Sequence, residues 1–335
     1  MKKFLKFFLG SIALLVVVYF LGPKQPAPNL ETPMFKLPGD LVALEQMIND
    51  SERSTKGIKP DNQARIVWAD STKKEKTKVA FLYLHGFTAS QGDGMPVHTN
   101  IAKTFNSNIF LFRNAHHGVN LGDSTMLTAT PNDFIFQAEK ALAIAKQLGD
   151  EVIVMGTSLG GALTLHLASK HPEIKAIVLY APAVVWNSMQ ANIVTGPWGY
   201  QILKATMGSE YINNPDTSVL HQKYWQMHVH IKGIASVVNV VKYAQDHEPF
   251  ENIKCPVFMG YYYKNEQEQD NAMSPKLMLK MFDKLGTPAD QKKQVAFPEA
   301  GDHVIASELI SGEWRNVEKE TENWLRETVK LSANL

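Results

Sequence analysis

The stretch EVIVMGTSLGGAL, residues 151–163, joins an apolar run to a helical run through the pentapeptide Gly156-Thr157-Ser158-Leu159-Gly160. The apolar run lacks polar alternation, which is typical of a strand buried on both faces. A G-x-S-x-G between a strand and a helix predicts a sharp turn that lifts the serine Oγ above the sheet, beside a helix N-terminus that favours developing negative charge. We therefore predict that Ser158 is a nucleophile.

Apolar runs and helical segments alternate on both sides of this stretch. One helical segment, residues 130–149, carries a capping residue in Thr130, a proline at the first helical position in Pro131 and a stop signal in Gly149. The repeated order of strand and helix predicts an α/β fold, with a mostly parallel central sheet flanked by helices. The predicted strands lie in residues 64–69, 79–85, 108–112, 151–156, 175–182, 256–263 and 293–298.

The alternation stops between about Val184 and Glu251. Unstructured loops longer than about 15 residues are uncommon in compact domains. We therefore predict that residues 184–251 form a mainly helical cap, inserted into a core of residues 61–183 and 252–335. The large apolar side chains of this interval form either the cap's own small core or the wall of an apolar pocket. They are Trp186, Met189, Trp198, Tyr200, Met207, Tyr211, Tyr224, Trp225 and Met227.

The first 22 residues, MKKFLKFFLGSIALLVVVYFLG, place three lysines before a mostly apolar run. A proline-rich linker follows and opens an N-terminal extension over residues 23–60. The pattern predicts either a secretory signal peptide or a membrane anchor. The residues around Gly22 fit a small-x-small cleavage site poorly, which favours an uncleaved anchor with the catalytic domain on the exported side, periplasmic or extracellular. Cleavage would instead give a secreted protein.

Composition excludes some classes of function. The 335 residues contain 34 Lys and Arg against 33 Asp and Glu, so no strongly basic balance favours a nucleic-acid partner. The single cysteine, Cys255, cannot form an intrachain disulfide.

A serine nucleophile needs a general base and a group that orients this base. In this chain order the base should follow the last strand, where the loop AGDH places His303 before the final helix. The orienting acid should lie in residues 261–275, YYYKNEQEQDNAMSP, after the preceding strand. Asp270 is favoured, and Glu266 and Glu268 remain alternatives.

Attack on a carbonyl also requires donors for the oxyanion, commonly two backbone N–H groups. Leu159, directly after the nucleophile, supplies one. Phe87 supplies the other, because HGFTAS follows the strand at residues 79–85. We expect His85 to support this loop through hydrogen bonds.

The motifs LHGF (84–87), GTSLGG (156–161), Asp270 and GDH (301–303), in this order, resemble the α/β-hydrolase superfamily. The resemblance is strongest to serine esterases and to lysophospholipase or monoacylglycerol-lipase-like members with a helical cap, and it covers about residues 64–330. It implies a Ser-His-Asp triad, acyl-enzyme chemistry, no metal and no organic cofactor.

The sequence departs from the family pattern at two loops. The acid loop is longer and more polar than usual, and RNAHHG (113–118) replaces a PGHG-like turn. We interpret His116 and His117 as loop scaffold rather than metal ligands, and HVH (228–230) is a similarly weak metal signal.

The expected activity is hydrolysis of a carboxylic ester, with a small-molecule or lipid ester as substrate. The same residues would serve an exported peptidase or amidase, or a thioesterase. A membrane-tethered binding protein without turnover is the alternative from another class.

Overall fold

The computed structural model describes residues 2–186, 188–216 and 218–332, with the backbone alone described at residues 2, 3 and 5. The predicted segments 1–22 and 252–335 therefore extend beyond the described residues at Met1 and at 333–335. Two positions of the predicted cap, 187 and 217, also lie outside them.

A seven-stranded sheet forms the centre of the molecule. Each apolar run predicted as a strand overlaps one of the strands of this sheet, and two short strands form a separate ribbon. The strands are β1 (Arg65–Val67), β2 (Thr77–Leu84), β3 (Asn108–Leu111), β4 (Gly149–Thr157), β5 (Ala176–Tyr180), β6 (Tyr211–Asn213), β7 (His228–His230), β8 (Val257–Tyr261) and β9 (Lys292–Ala296). The order in the sheet is β1-β3-β2-β4-β5-β8-β9, and all neighbours are parallel except β1 and β3. This confirms the predicted fold class.

Eleven α-helices lie in the described residues. They are α1 (Lys2–Phe20), α2 (Leu41–Ser54), α3 (Val97–Thr104), α4 (Pro131–Leu148), α5 (Leu159–Lys170), α6 (Met189–Thr195), α7 (Gly199–Met207), α8 (Val219–Tyr224), α9 (Lys232–His247), α10 (Pro275–Asp283) and α11 (Trp314–Glu327). Of these helices, α4 and α5 pack on one face of the sheet and α3 and α11 on the other. Two successive residues of β2 lie on opposite faces of the sheet: Leu82 packs with α4 and α5, whereas Phe81 packs with α3 and α11. This explains why the apolar run at residues 79–85 lacks polar alternation. Burial on both faces therefore follows from this two-sided packing.

The interval between β5 and β8 contains α6 to α9 and the antiparallel ribbon of β6 and β7. The ribbon is not apparent from the sequence, because each of its strands has only three residues. Of the large apolar side chains in this interval, Tyr224 and Trp225 are buried and pack on Ala89, whereas Met189 is exposed. The pair belongs to a small core between the cap and the loop after β2.

Within the described part of the chain, no helix is both long and apolar enough to cross a membrane. The predicted membrane anchor is therefore not supported. The linker after α1 is attached to the folded core: the Asn29 N–H donates to Asn132 Oδ1 (2.7 Å), and Asn239 Nδ2 donates to Gln25 Oε1 (3.1 Å).

A buried ionic cluster joins α4, α5 and the end of α9. His166 Nδ1 lies 2.8 Å from Glu248 Oε2, and His166 Nε2 lies 3.3 Å from Glu139 Oε1. Burial lowers the pKa of His166, but its interactions with the carboxylates of Glu139 and Glu248 outweigh burial and raise this pKa above its ordinary value of 6.5. Burial likewise acts to raise the pKa of Glu139, but His166 and His171 bring it down to about 2.

We expect the contribution of His166 to stability to depend on pH. Because its pKa is higher in the folded state than in the unfolded state, the contribution is fully present below 6.5 and is lost as pH rises through the folded pKa. Urea unfolding between about pH 6 and 9 should show the free-energy gap between wild type and His166→Gln shrinking as pH rises. The exposed His247→Gln is the control, and a pH-independent gap for His166→Gln would contradict the expectation.

Candidate active site

Ser158 stands between β4 and α5 in a strained backbone conformation. Its φ of 53° and ψ of −113° fall where residues other than glycine are uncommon. The turn leaves no room for a side chain at either glycine. A Cβ on Gly156 would lie 2.4 Å from the carbonyl carbon of Gly160, and a Cβ on Gly160 would lie 1.8 Å from the carbonyl oxygen of Leu84. The two glycines therefore permit β4, β2 and α5 to meet at Ser158.

Adding a single methyl group at this turn is expected to be severely destabilising. Gly160→Ala would force the backbone of Leu84 to move, and we expect a loss of about 3 kcal/mol or more. Gly39→Ala is the matched control, since a Cβ there meets nothing within 4 Å, and its effect should stay within about 0.5 kcal/mol. Thermal unfolding of both variants measures the difference, and equal melting temperatures would show that the turn relaxes freely.

The loops after β8 and β9 bring an acid and a base together. Asp270 Oδ2 lies 2.5 Å from His303 Nδ1, and Asp270 Oδ1 accepts the N–H groups of Ala272 (2.9 Å) and Met273 (2.8 Å). The side chain of Asp270 is wholly buried. The aspartate is therefore held by two backbone donors and directs His303 Nδ1 toward itself, which leaves Nε2 as the nitrogen for proton transfer.

The two glutamates of the acid loop point elsewhere. Glu266 accepts from the Tyr263 hydroxyl (3.2 Å), and Glu268 accepts from Asn265 Nδ2 (2.9 Å). Both are exposed. Of the three carboxylates left open by the sequence, Asp270 is the one that the structure brings to His303.

Within the described residues, Ser158 and His303 do not share a hydrogen bond. Catalytic hydrogen bonds are often long in unliganded proteins and tighten when substrate binds. Gly86 lies between Ser158 Cβ and the Oδ2 atom of a buried acid, Asp93. The charge of His303 acts to lower the pKa of this acid.

The loop after β2 is held by His85. The buried His85 donates from Nδ1 to the Gly86 carbonyl (2.9 Å), and its Nε2 accepts the Asn114 N–H (3.0 Å). Burial lowers the pKa of His85 to about 4, so the ring is neutral near pH 7. The N–H groups of Phe87 and Leu159 donate to no acceptor among the described residues, which leaves both available to an oxyanion.

Asp93 is the residue of this region that sequence reasoning missed. It lies in a short 3₁₀ helix, residues 91–94, within the sequence SQGDG, and a turn-like segment of this kind gives no signal of a buried acid. Its side chain accepts from Gly86 N–H (2.6 Å) and from the Tyr83 hydroxyl (2.7 Å). Burial raises the pKa of Asp93 to about 7.

The histidines considered as weak metal signals have protein partners. His116 Nε2 lies 2.9 Å from Asp133 Oδ2, and His117 Nδ1 bonds to the Ala115 carbonyl (2.8 Å). His228 bonds to Asn213 and Asp123. Among the residues that the structure describes, no group of three or more His, Cys, Asp or Glu side chains is arranged to hold a metal ion.

Known proteins resemble this chain in sequence and in fold. The profile of the family described as "Serine aminopeptidase, S33" matches residues 121–260. A thermostable monoacylglycerol lipase from Bacillus sp. (strain H-257) is 32% identical over 146 residues, which are 44% of this chain and 56% of that protein. The chain thus matches little more than half the length of that relative.

Two solved structures show the fold over most of the chain. A structure of the metagenome-derived lipolytic enzymes LipS and LipT has a TM-score of 0.61 at 16% identity and covers 81% of this chain and 99% of its own. A soluble variant of monoglyceride lipase from Saccharomyces cerevisiae has a TM-score of 0.59 at 15% identity. The match covers 81% of this chain and 92% of the lipase chain.

The fold is therefore that of an α/β-hydrolase, with the strained serine at the turn from strand to helix. The predicted resemblance is confirmed at the level of the fold, and the proteins that resemble this chain include lipases and esterases.

Proposed function

We propose that this protein is a serine hydrolase that cleaves carboxylic esters through Ser158, His303 and Asp270. The observation that carries the proposal is the contact between Asp270 Oδ2 and His303 Nδ1, at 2.5 Å, in a chain whose Ser158 stands on a strained turn between β4 and α5. The likeness to lipases and esterases supports the reaction class.

The chemistry divides into two steps. Ser158 Oγ attacks the ester carbonyl while His303 Nε2 takes its proton, and the N–H groups of Phe87 and Leu159 receive the oxyanion. His303 then protonates the departing alcohol, which leaves an acyl group on Ser158. Water, activated by His303, attacks this acyl-enzyme and releases the carboxylic acid, while Asp270 holds the imidazole throughout.

For the substrate, we propose an acyl ester of a small alcohol such as glycerol. This rests on similarity to a monoacylglycerol lipase over part of the chain and to a monoglyceride lipase in fold. The acyl chain would lie beneath the cap, formed by α6 to α9.

Labelling with a fluorophosphonate probe, followed by peptide mapping, tests the nucleophile. We expect the label on Ser158 in folded protein and none after heat denaturation, because the serine depends on its base and on the turn. A hydrolysis series on p-nitrophenyl esters from acetate to palmitate then gives the chain-length preference. Folded protein that takes no label and cleaves no ester would favour the binding-protein alternative.

A peptidase is the second candidate, since the matching family profile is described as a serine aminopeptidase. Amide cleavage would use the same nucleophile, base and oxyanion donors, so thioesters and amides belong in the same experiment. Aminoacyl p-nitroanilides cleaved with a higher kcat/KM than any ester would replace the ester proposal with this one.

An exported location for the catalytic domain, periplasmic or extracellular, is proposed from the pattern of residues 1–22 alone. Cell fractionation of the full chain beside a chain lacking this segment tests it. Recovery of both in the same fraction would contradict an export role for residues 1–22.

A further inference from the structure

We propose that Asp93 is a positioning residue that fixes the Gly86 peptide, and through it the Phe87 N–H that receives the oxyanion. The inference rests on the proposed function and assigns a part in it to a residue outside the triad. Asp93 is fully buried in the 3₁₀ turn that follows the Phe87 loop, so its carboxylate is turned inward rather than toward solvent.

The two peptide units that meet at Gly86 are each held by a hydrogen bond. Asp93 Oδ2 accepts the Gly86 N–H at 2.6 Å, and His85 Nδ1 donates to the Gly86 carbonyl at 2.9 Å. The next amide along the chain is that of Phe87. The Gly86 N–H belongs to the His85–Gly86 peptide unit, whereas the Gly86 carbonyl and the Phe87 N–H share the next peptide plane. Holding both units restricts the φ and ψ of Gly86 between them, so the direction of the Phe87 donor depends on these two hydrogen bonds.

The other carboxylate oxygen connects this loop to the nucleophile. Asp93 Oδ1 accepts the Tyr83 hydroxyl at 2.7 Å, and the same hydroxyl lies 2.9 Å from Thr157 Oγ1. Thr157 directly precedes Ser158, and all three side chains of this network are fully buried. A continuous buried path therefore runs from the oxyanion loop to the residue before the nucleophile, which fits a shared positioning role better than isolated packing.

Gly86 is also closely packed between Asp93 and Ser158, which limits its movement. A Cβ on Gly86 would stand 3.1 Å from Asp93 Oδ2 and 3.3 Å from Ser158 Cβ. The acid, the oxyanion loop and the nucleophile are thus in contact through one glycine. A buried acid without a role would be costly, because burial disfavours its charged form.

The kinetic experiment compares Asp93→Ala and Asp93→Asn in the full chain. Alanine removes the acceptor for Gly86, and we expect kcat on the best p-nitrophenyl ester to fall about 10-fold to 100-fold with little change in KM. Affinity for a trifluoromethyl ketone analogue, which forms a tetrahedral adduct, should fall in parallel. Asparagine keeps an oxygen for Gly86 and an N–H for the Tyr83 oxygen, so it should recover most of the activity.

Glu139→Gln serves as the control, since it alters a buried acid in the cluster of His166 outside the site. It should leave kcat and analogue affinity unchanged, which separates positioning from a general loss of stability. Unchanged kcat in folded Asp93→Ala, or a rise in KM alone, would overturn the proposal.

A second measurement needs neither turnover nor a destabilised variant. In wild-type protein labelled with ¹⁵N-glycine, the Gly86 amide proton should resonate downfield because it donates to the Asp93 carboxylate at 2.6 Å, and it should move upfield in Asp93→Asn, whose neutral amide oxygen is a weaker acceptor. An unchanged Gly86 amide shift in Asp93→Asn would overturn the proposal even in active enzyme, whereas absence of all ester hydrolysis would refute only the proposed function.

Discussion

Ser158→Ala is expected to lower kcat/KM for p-nitrophenyl esters by about 10⁴-fold to 10⁶-fold, the range expected when the nucleophile of such a triad is removed. Alanine has no Oγ to attack the carbonyl, so formation of the acyl-enzyme stops. The remaining rate would come from the Phe87 and Leu159 donors, which still polarise the carbonyl for attack by water. Steady-state kinetics and loss of fluorophosphonate labelling measure the effect.

Ser158→Ala needs a control for stability because of the backbone conformation at this turn. Ser158 adopts a φ of 53°, which alanine tolerates poorly, so the melting temperature of Ser158→Ala must be measured beside its activity. Ser169→Ala, on the same helix α5 but away from the turn, should keep full activity. Retention of more than about a tenth of wild-type kcat/KM by folded Ser158→Ala would remove this serine from the mechanism.

Asp270→Asn is expected to lower kcat by about 10³-fold to 10⁴-fold while the protein stays folded. Because Ala272 and Met273 donate to Oδ1, the amide oxygen of asparagine should occupy that position and turn Nδ2 toward His303. Two donors then face each other unless His303 places its proton on Nε2. That tautomer cannot accept the proton of Ser158, so the nucleophile loses its base.

The two neighbouring glutamates provide matched controls for the acid. Glu266→Gln and Glu268→Gln remove charge from the same loop, and each should keep kcat within about two-fold of wild type, since exposed side chains contribute little. A loss in Glu268→Gln as large as in Asp270→Asn would show that the acid is assigned to the wrong residue.

The sequence predicted the elements on which the candidate site stands. All seven apolar runs overlap strands of the sheet, since β-strands buried on both faces need continuous apolar side chains, as Phe81 and Leu82 illustrate. Ser158 could be proposed as a nucleophile because a strand-to-helix turn of this tightness requires glycines at fixed positions. These are local properties, encoded within a few residues of each other.

Other features depend on contacts between distant segments. The choice of Asp270 over Glu266 and Glu268 required the fold, because three acids in one polar loop look alike until one of them meets a histidine 33 positions away. Asp93 was missed for the same reason, as was the ribbon of β6 and β7, whose strands are too short to show a pattern.

The sequence by itself thus determined the α/β order of elements, the position of the strained serine and the set of candidate partners. Only the tertiary structure decided which acid faces His303 and which buried carboxylate holds Gly86. The physical reason is that periodicity and turn chemistry act over a few neighbouring residues, whereas a hydrogen bond between loops depends on how the sheet brings the ends of its strands together.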